Sequence, residues 1–254
     1  MNKINVVDNK IIPFDNTDVI LNNNIITFTN NGDYYLEYIT SDNVNIIISV
    51  EDNVCVHLFE YSNNNDINTN ITYNLGKNSS LIISKFYYND NTNEEINIYL
   101  NKKNANIKYN FSSISKNHDN YLINIYHNDS TTNSDIFNRT IAKENSSNNF
   151  DINSYVENKI LDCYLNQSTK IITLGDSNNK INPNMFTHDN SVTAIHASVI
   201  GNVNEEELFY LMSRGISYNE AIKIIIKGII LSNINPNMEY REKILNILEE
   251  VGGE

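Results

Sequence analysis

The sequence predicts a mainly β protein that ends in a small α-helical subdomain, and two patterns support this class. Between residues 41 and 175, short apolar runs follow one another, and several alternate apolar and polar residues with period two. From about residue 204 onward, apolar residues recur at helical spacing behind residues that favour helix starts. We therefore expect a β domain over residues 1–200 and a helical subdomain over residues 201–254.

The β domain is predicted to consist of many short strands with one apolar and one polar face. In the first forty residues, runs at 25–28 and 34–39 are separated by Asn-rich turns. The clearest later strands are predicted at 44–50, 54–60, 81–87, 96–100, 107–112 and 121–126. This periodicity leaves a β-sandwich and a β-solenoid both open, although the low glycine content weighs mildly against a hairpin meander.

The first predicted helix begins just after residue 204. Asn204 is a favourable N-cap, and the three glutamates behind it lie where the helix dipole favours negative charge. Leu208, Leu211 and Met212 recur at helical spacing and would form one apolar face. Gly215 is suited to end this helix in a left-handed conformation.

Two further helices are predicted before the end of the sequence. Ser217 and Glu220 have the S-x-x-E spacing of a capping box. The buried stripe of this second helix is predicted to be Ile222, Ile225, Ile226 and Ile229. Asn235 and Pro236 are interpreted as the cap and first residue of the third helix, which Gly252 would end.

The composition argues against several classes of function. A formal net charge of -13 disfavours a nucleic-acid or anionic-membrane partner. No signal peptide is visible, and the most apolar run, 222–231, is too short to span a bilayer. Cys55 and Cys163 are interpreted as free thiols, and Glu94 and Glu95 as solvated surface charge. Together these features fit a cytoplasmic protein. Because no Walker motif is present, we do not expect the chain itself to bind ATP.

The strand–helix junction carries a specific set of residues at fixed spacing. In chain order the set is His196, Ala197, Ser198, Gly201, Glu205, Glu206, Glu207, Phe209, Tyr210, Leu211, Ser213, Arg214, Gly215 and Ile216. This set resembles the C-terminal signature of the SufB/SufD family of iron–sulfur cluster assembly proteins. The resemblance is strongest over residues 160–232.

The resemblance implies a right-handed parallel β-helix followed by a small C-terminal helical subdomain. Residues 1–40 would then cap the first coil, and the chain would be a short form without the family's N-terminal helical domain. Weaker similarities in the middle of the chain involve His118, Asp119, His127 and Ser134. The residues alone favour a structural role for these four, as side chains on solenoid strands.

His196 has two interpretations. Its apolar neighbours alone favour a packed, hydrogen-bonded core histidine. In the resembled family this histidine lies where paired subunits assemble a nascent cluster, which implies an iron ligand or a proton acceptor. Thr169 falls near the place of an essential SufB cysteine, and Ala197 takes the place of a SufB glutamate. Since threonine supplies no thiolate, the chain is similar to SufD and not to SufB.

The first predicted helix also has two interpretations. Its apolar residues could serve self-packing of the helical subdomain. The resemblance implies instead that the subdomain docks onto the SufC ATPase, and aromatic and arginine side chains are common in interface hot spots. The residues assigned to this contact are Phe209, Tyr210, Leu211, Arg214 and Gly215.

Taken together, the resemblance implies a non-catalytic SufD-like scaffold subunit of the SUF assembly complex. It would pair with a SufB-like or identical subunit and dock SufC, through which alone it would use ATP. No cofactor would be bound stably by this chain alone, and an iron–sulfur cluster would be present only transiently at a subunit interface, near His196. The alternative is a stand-alone β-solenoid binding protein, a degenerate relative without cluster assembly.

Overall fold

The computed structural model describes residues 2–7, 9–12, 18–39 and 43–251. Within these ranges the chain forms seventeen strands followed by three helices. The strands are β1 (Asn2–Val7), β2 (Lys10–Ile12), β3 (Val19–Asn22), β4 (Ile25–Phe28), β5 (Gly32–Ile39), β6 (Asn43–Val50), β7 (Cys55–Ser62), β8 (Asp66–Leu75), β9 (Ser80–Tyr87), β10 (Asn91–Leu100), β11 (Asn106–Ser115), β12 (His118–His127), β13 (Asn133–Ala142), β14 (Ser147–Val156), β15 (Tyr164–Thr173), β16 (Asn178–Phe186) and β17 (Thr193–Asn202). The helices are α1 (Glu205–Ser213), α2 (Tyr218–Asn233) and α3 (Met238–Val251).

The strands wind into a parallel β-solenoid with two faces. The nine-stranded sheet has the order β17-β15-β13-β11-β9-β7-β5-β1-β2, and the eight-stranded sheet has the order β16-β14-β12-β10-β8-β6-β4-β3. From β5 onward each strand pairs in parallel with the second strand along the chain, so successive strands alternate between the sheets. Only β1–β2 and β3–β4 pair antiparallel in the described residues. The parallel β-helix is therefore confirmed, and the sandwich is excluded.

Asparagines occupy equivalent turns of successive coils, where the chain passes from one sheet to the other. Asn53, Asn78 and Asn104 stand at equivalent turns of consecutive coils with φ of 64°, 54° and 61°. Asparagine tolerates this left-handed conformation better than other non-glycine residues do. The Asn78 amide donates to Asn53 Oδ1 at 2.9 Å, and the Asn104 amide donates to Asn78 Oδ1 at 2.8 Å. Part of the asparagine content thus has a structural role in the coil corners.

The solenoid interior is mostly apolar, because the inward residues of each coil stack on those of the next. Residues such as Ile71, Ile96 and Ile123 are fully buried. The interior also contains charge: Glu60 and Lys85 are 0% exposed, and Glu94 is 2% exposed. The prediction that Glu94 is a solvated surface charge is therefore wrong.

Two helix starts and one helix end agree with the predicted caps. The Asn204 side chain accepts from the backbone N–H groups of Glu206 and Glu207, and Ser217 and Glu220 form the predicted capping box. Gly215 follows α1 with φ of +85°. The predicted stripe of α2 is buried at Ile222, Ile225 and Ile226, and Ile229 is half-buried.

Two helix predictions are corrected. The third helix begins at Met238 and not at Pro236, and Asn237 Oδ1 accepts from the Tyr240 backbone N–H at 3.0 Å. Asn237 therefore takes the capping role predicted for Asn235. The predicted apolar face of α1 packs only in part: Leu208 and Leu211 are half-buried, and Met212 is exposed. The predicted end at Gly252 lies outside the described residues.

Helices α2 and α3 pack on the outer face of the nine-stranded sheet. Tyr240 of α3 is fully buried, and its ring contacts those of Tyr35, Phe59 and Tyr61 with centroids 5.2–5.9 Å apart. The α2–α3 connection is held by Asn233, whose amide donates to the backbone carbonyls of β11 and β13. Two helices are thus fixed to the solenoid, and α1 is left exposed.

Candidate subunit and partner interfaces

The last coil of the solenoid ends in two sheet edges. Strand β16 pairs with β14, and strand β17 pairs with β15, and neither has a second neighbour among the described residues. We call this surface, residues 178–202, the terminal coil. Nine of the ten residues of β17 are exposed. Long unpaired strand edges present free backbone donors and acceptors, which makes this surface suited to binding another chain.

His196 lies at the middle of β17 and is exposed. Its Cα pairs with that of Gln167 on β15, so both side chains leave their strands on the same, inward side. Gln167 is 2% exposed and donates to Ser154 Oγ at 2.8 Å across the interior. His196 therefore stands at the mouth of the interior, and it is not the packed core histidine that its neighbours alone suggested.

Thr169 lies one strand inside the edge. It pairs with Ser198 on β17 and is 2% exposed. Its Oγ1 accepts from the Asn138 amide at 3.0 Å. Thr169 and His196 are thus on adjacent strands and on the same side, two register positions apart, but only His196 reaches the surface.

Polar atoms without partners lie directly below the terminal coil. Gln167 Oε1 and Asn138 Oδ1 are buried and lack hydrogen-bond partners within the described part of the chain. No role was assigned to Gln167 from the sequence. Its signal was a pair of polar residues, Gln167 and Thr169, between apolar residues on the inward side of one strand.

The middle histidine of the predicted set is structural. His127 is 1% exposed, and its ring nitrogens hydrogen-bond Thr132 Oγ1 at 2.8 Å and Ser134 Oγ at 2.9 Å. Burial lowers the pKa of His127 to about 4, so the ring is neutral at pH 7. Ser134 thus contacts His127, whereas His118 is exposed.

The terminal coil carries several exposed apolar side chains and is electrically balanced. Large exposed apolar side chains of this coil are Phe186, Ile195, Val199 and Ile200, which are 46–52% exposed. Its charged residues are one lysine, Lys180, and one aspartate, Asp189, in a chain of formal net charge -13. A like-charged partner would therefore meet little repulsion at this surface.

Helix α1 presents a second exposed surface. Phe209 is 74% exposed, Tyr210 is 58% exposed and Met212 is 44% exposed. The Arg214 guanidinium lies over the Tyr210 ring, 5.2 Å from its centroid. Leu211 faces α2 and is half-buried. Self-packing thus accounts for little of the apolar surface of α1.

A groove runs between α1 and α2 and has a volume of about 600 Å³. Its walls include Tyr210 and Leu211 from α1 and Ile224 from α2, which is 46% exposed. Gly228 forms part of the floor, and a methyl group placed there would touch nothing within 4 Å. We call this the helix groove, and its size and lining fit an apolar segment of a partner.

The described residues contain no group of three or more His, Cys, Asp or Glu side chains placed to hold a metal ion. His57 is paired with Asp33 at 3.1 Å and lies on the outer face of β7. His196 could therefore act as a metal ligand only together with groups from elsewhere. No helix in the described ranges is long and apolar enough to span a membrane.

Comparisons with known proteins agree on one family. Residues 25–229 match the SufBD core domain of the SUF system for FeS cluster assembly. Over 134 residues, 52% of this chain, the sequence is 25% identical to the iron–sulfur cluster assembly protein SufD of Bacillus subtilis, of which the match covers 31%.

Shorter matches reach two other relatives. A segment of 35 residues, 14% of this chain, is 54% identical to 8% of an iron–sulfur cluster assembly SufBD family protein of Pyrococcus horikoshii. A segment of 46 residues, 18% of this chain, is 44% identical to 21% of the SufBD family protein ycf24 of Galdieria sulphuraria. The chain thus spans less than a third of each relative that it matches. Since the core-domain match covers most of the sequence, the chain belongs to the SufBD family of SUF-system iron–sulfur cluster assembly proteins.

Proposed function

We propose that this chain is a non-catalytic, SufD-like scaffold subunit in iron–sulfur cluster assembly. Its terminal coil pairs with a second β-helix subunit, either SufB-like or identical, and α1 with the helix groove docks a SufC-type ATPase. The single observation that carries this proposal is the terminal coil, a charge-balanced pair of unpaired sheet edges with His196 exposed at its centre.

His196 is proposed to act across the paired interface. An exposed imidazole can bind iron or accept a proton, and the missing ligands of a nascent cluster would come from the partner subunit. The cluster is cargo in this scheme. Thr169 supports the surface from below through its bond to Asn138 and does not contact the cargo.

The test of this site is a His196→Ala variant in a reconstituted assembly reaction with the cognate SUF components. We expect cluster formation to fall at least tenfold while subunit pairing, measured by analytical ultracentrifugation, is unchanged. His118→Ala, a change at an exposed histidine of β12, is the matched control. Full assembly by the His196 variant would remove this residue from the site.

Docking of the ATPase is tested by co-purification. Arg214→Glu should weaken the complex with the cognate SufC-type protein, because it reverses a charge beside the exposed Tyr210 ring. Arg241→Glu makes the same charge change at an exposed site on α3 and should leave the complex intact. If neither the SufC-type ATPase nor a SufB-like subunit co-purifies with the wild-type chain, the stand-alone solenoid alternative is favoured.

A further inference from the structure

A polar groove on the other side of α2 has no place in the proposed assembly function. It lies between the outer face of the nine-stranded sheet and the α2–α3 connection, and it has a volume of about 470 Å³. Its lining residues are Ile82, Ser84, Lys108, Asn110, Phe137, Arg139, Ser232, Asn233, Ile234 and Asn235. Cavities of this size hold small organic ligands.

Two cations flank one aromatic ring in this groove. Lys108 Nζ lies 6.0 Å from the Phe137 ring centroid, and the Arg139 guanidinium carbon lies 5.9 Å from it. Lys170 is the register neighbour of Arg139 on β15 and adds a third positive charge. None of these three cations has a carboxylate within 4.0 Å in the part of the chain that the structure describes. In a chain of net charge -13, this concentration of unpaired positive charge is local and unusual.

The floor of the groove holds an amide that is open to the groove. Asn110 is 8% exposed, and its side chain makes no hydrogen bond with any other described residue. It stands in register between Ser84 on β9 and Phe137 on β13, next to the two cations. The Asn110 N–H group can therefore donate to an anion bound in the groove.

The surrounding side chains are held in place. Arg139 donates to the carbonyls of Asn138 at 2.8 Å and Ser168 at 3.0 Å, which fixes its guanidinium. Ser84 Oγ accepts from the Asn235 backbone N–H at 3.2 Å, so its hydroxyl proton remains to be donated. Donors on rigid elements bind an anion with little loss of conformational entropy.

Acidic groups lie near the groove but do not neutralise it. Asp135 is the register neighbour of Lys108 and accepts from the Asn166 amide at 2.9 Å. Asp33 lies in an adjoining cavity beyond Ser84 and is paired with His57 at 3.1 Å. Beside the groove, the three cations thus outnumber these two carboxylates.

We propose that this groove binds a small molecule that carries an oxyanion, a phosphate or a carboxylate group. The anion contacts Lys108 and the Asn110 amide, and Phe137 with Ile82 contacts the apolar part of the ligand. The site lies apart from both proposed partner surfaces, because it shares only Ser232 with the helix groove and no residue with the terminal coil.

Isothermal titration of the full chain with inorganic phosphate and, separately, with malonate tests the proposal. We expect saturable one-to-one binding of at least one probe, and the tighter probe identifies the oxyanion class. Lys108→Gln and Asn110→Asp should each weaken binding about tenfold or more, because each removes a charge-assisted or amide contact. Unchanged thermal unfolding shows that both variants fold.

Lys77→Gln is the control, because it makes the same charge change at an exposed turn between β8 and β9 that does not line the groove. It should bind the probe as the wild type does. The proposal is overturned if neither probe binds, or if the Lys108 and Asn110 variants retain wild-type affinity. Neither result would bear on cluster assembly, which the His196 variant tests separately.

Discussion

At the scale of single residues, the solenoid interior contains an ionic cluster. Lys85 Nζ lies 2.6 Å from Glu94 Oε1 and 3.3 Å from Glu60 Oε2. The hydroxyl groups of Tyr38 and Tyr73 donate to Glu60 at 2.8 and 2.5 Å. One buried ammonium group thus balances part of the charge of two buried carboxylates, and the two tyrosines supply hydrogen bonds to Glu60.

Replacing the lysine should therefore be severely destabilising. Lys85→Met keeps the length of the side chain but leaves Glu60 and Glu94 buried without a cation. We expect the free energy of unfolding to fall by about 3–5 kcal/mol, as is typical when one partner of a buried ion pair is removed. Denaturant titration measures this, with Lys77→Met as an exposed control that should change it by less than about 0.5 kcal/mol. A loss below about 1 kcal/mol for Lys85→Met would show that the cluster is not stabilised by this charge.

Asp119 provides a second test at this scale. It is 3% exposed, its Oδ1 lacks a partner in the described chain, and burial raises its pKa to about 7. Its register neighbour Asn148 has a buried oxygen that is equally without a partner. Two charged groups lie nearby. Lys116 favours the ionised form of Asp119, and Glu94 acts together with Asp119 to raise the pKa of Tyr121. A neutral Asp119 could donate its proton to the Asn148 oxygen, but an ionised one could not.

The folded protein therefore holds the Asp119 proton more tightly than the unfolded chain does. Stability from this residue is fully present below about pH 4 and is lost as the pH rises to about 7. Asp119→Asn should remove this loss and raise the free energy of unfolding at pH 8 by roughly 2–4 kcal/mol, because the amide donates at every pH. Urea titrations at pH 4 and pH 8 measure it. Equal stability of variant and wild type at pH 8 would contradict the assignment.

At the scale of elements, the strands and most helix caps could be predicted from the sequence, for a physical reason. Alternation follows from burial on one side of a strand, and capping residues act within a few residues of the backbone groups that they satisfy. The helix positions relative to the solenoid were not predicted, although a signal exists. Phe59, Tyr61 and Phe86 point outward and are nevertheless apolar and buried, which marks the part of the sheet that α2 and α3 cover.

The candidate site was predicted in part. His196 and the α1 residues were identified through a resemblance, since no local pattern shows that a strand ends a sheet. The exposure of α1 and the burial of Thr169 required coordinates. Periodicity shows which residues share a face, but it does not show whether that face packs against the rest of the protein. Lys85 breaks an apolar strand and was the available signal for the internal cluster. It was missed because neighbours in space from three coils are needed to interpret it.

Helix α2 offers a test at the element scale. Gly228 lies in the helix interior with open space around it. Gly228→Ala should raise the free energy of unfolding by about 0.5–1 kcal/mol, because alanine loses less conformational entropy in a helix. Thermal unfolding measures this change.

Gly228→Leu at the same site should fill the helix groove and weaken ATPase docking while the protein remains folded. The alanine variant is the control for that experiment and should dock as the wild type does. If the leucine variant also docks normally, the helix groove is not the docking surface.

At the scale of the whole molecule, the two ends of the solenoid differ. One end is the terminal coil, with ten-residue β17 and nine-residue β16 as its edges. The other ends in the short strands β2 and β3, which turn back antiparallel on β1 and β4. A second chain that adds to the molecule is therefore expected to do so at the terminal coil.

This asymmetry predicts how pairing depends on the terminal coil. Val199→Glu places a charge on an apolar residue that is 52% exposed, so it should lower pairing without unfolding the chain. Analytical ultracentrifugation of wild type and variant, alone and with the cognate partner, measures the effect. Thr27→Glu on β4, at the opposite end, should leave pairing unchanged.

The blocked end also limits how far association can proceed. A solenoid with two equal edges could stack head to tail without closing and grow into a fibre, as heterologous contacts do. Here a growing polymer would need the β2 and β3 hairpins to accept a long parallel strand, which their reversed direction and short length disfavour. Under the proposed pairing, association through the free edge would therefore stop after one addition, and the exposed edge would not seed aggregation.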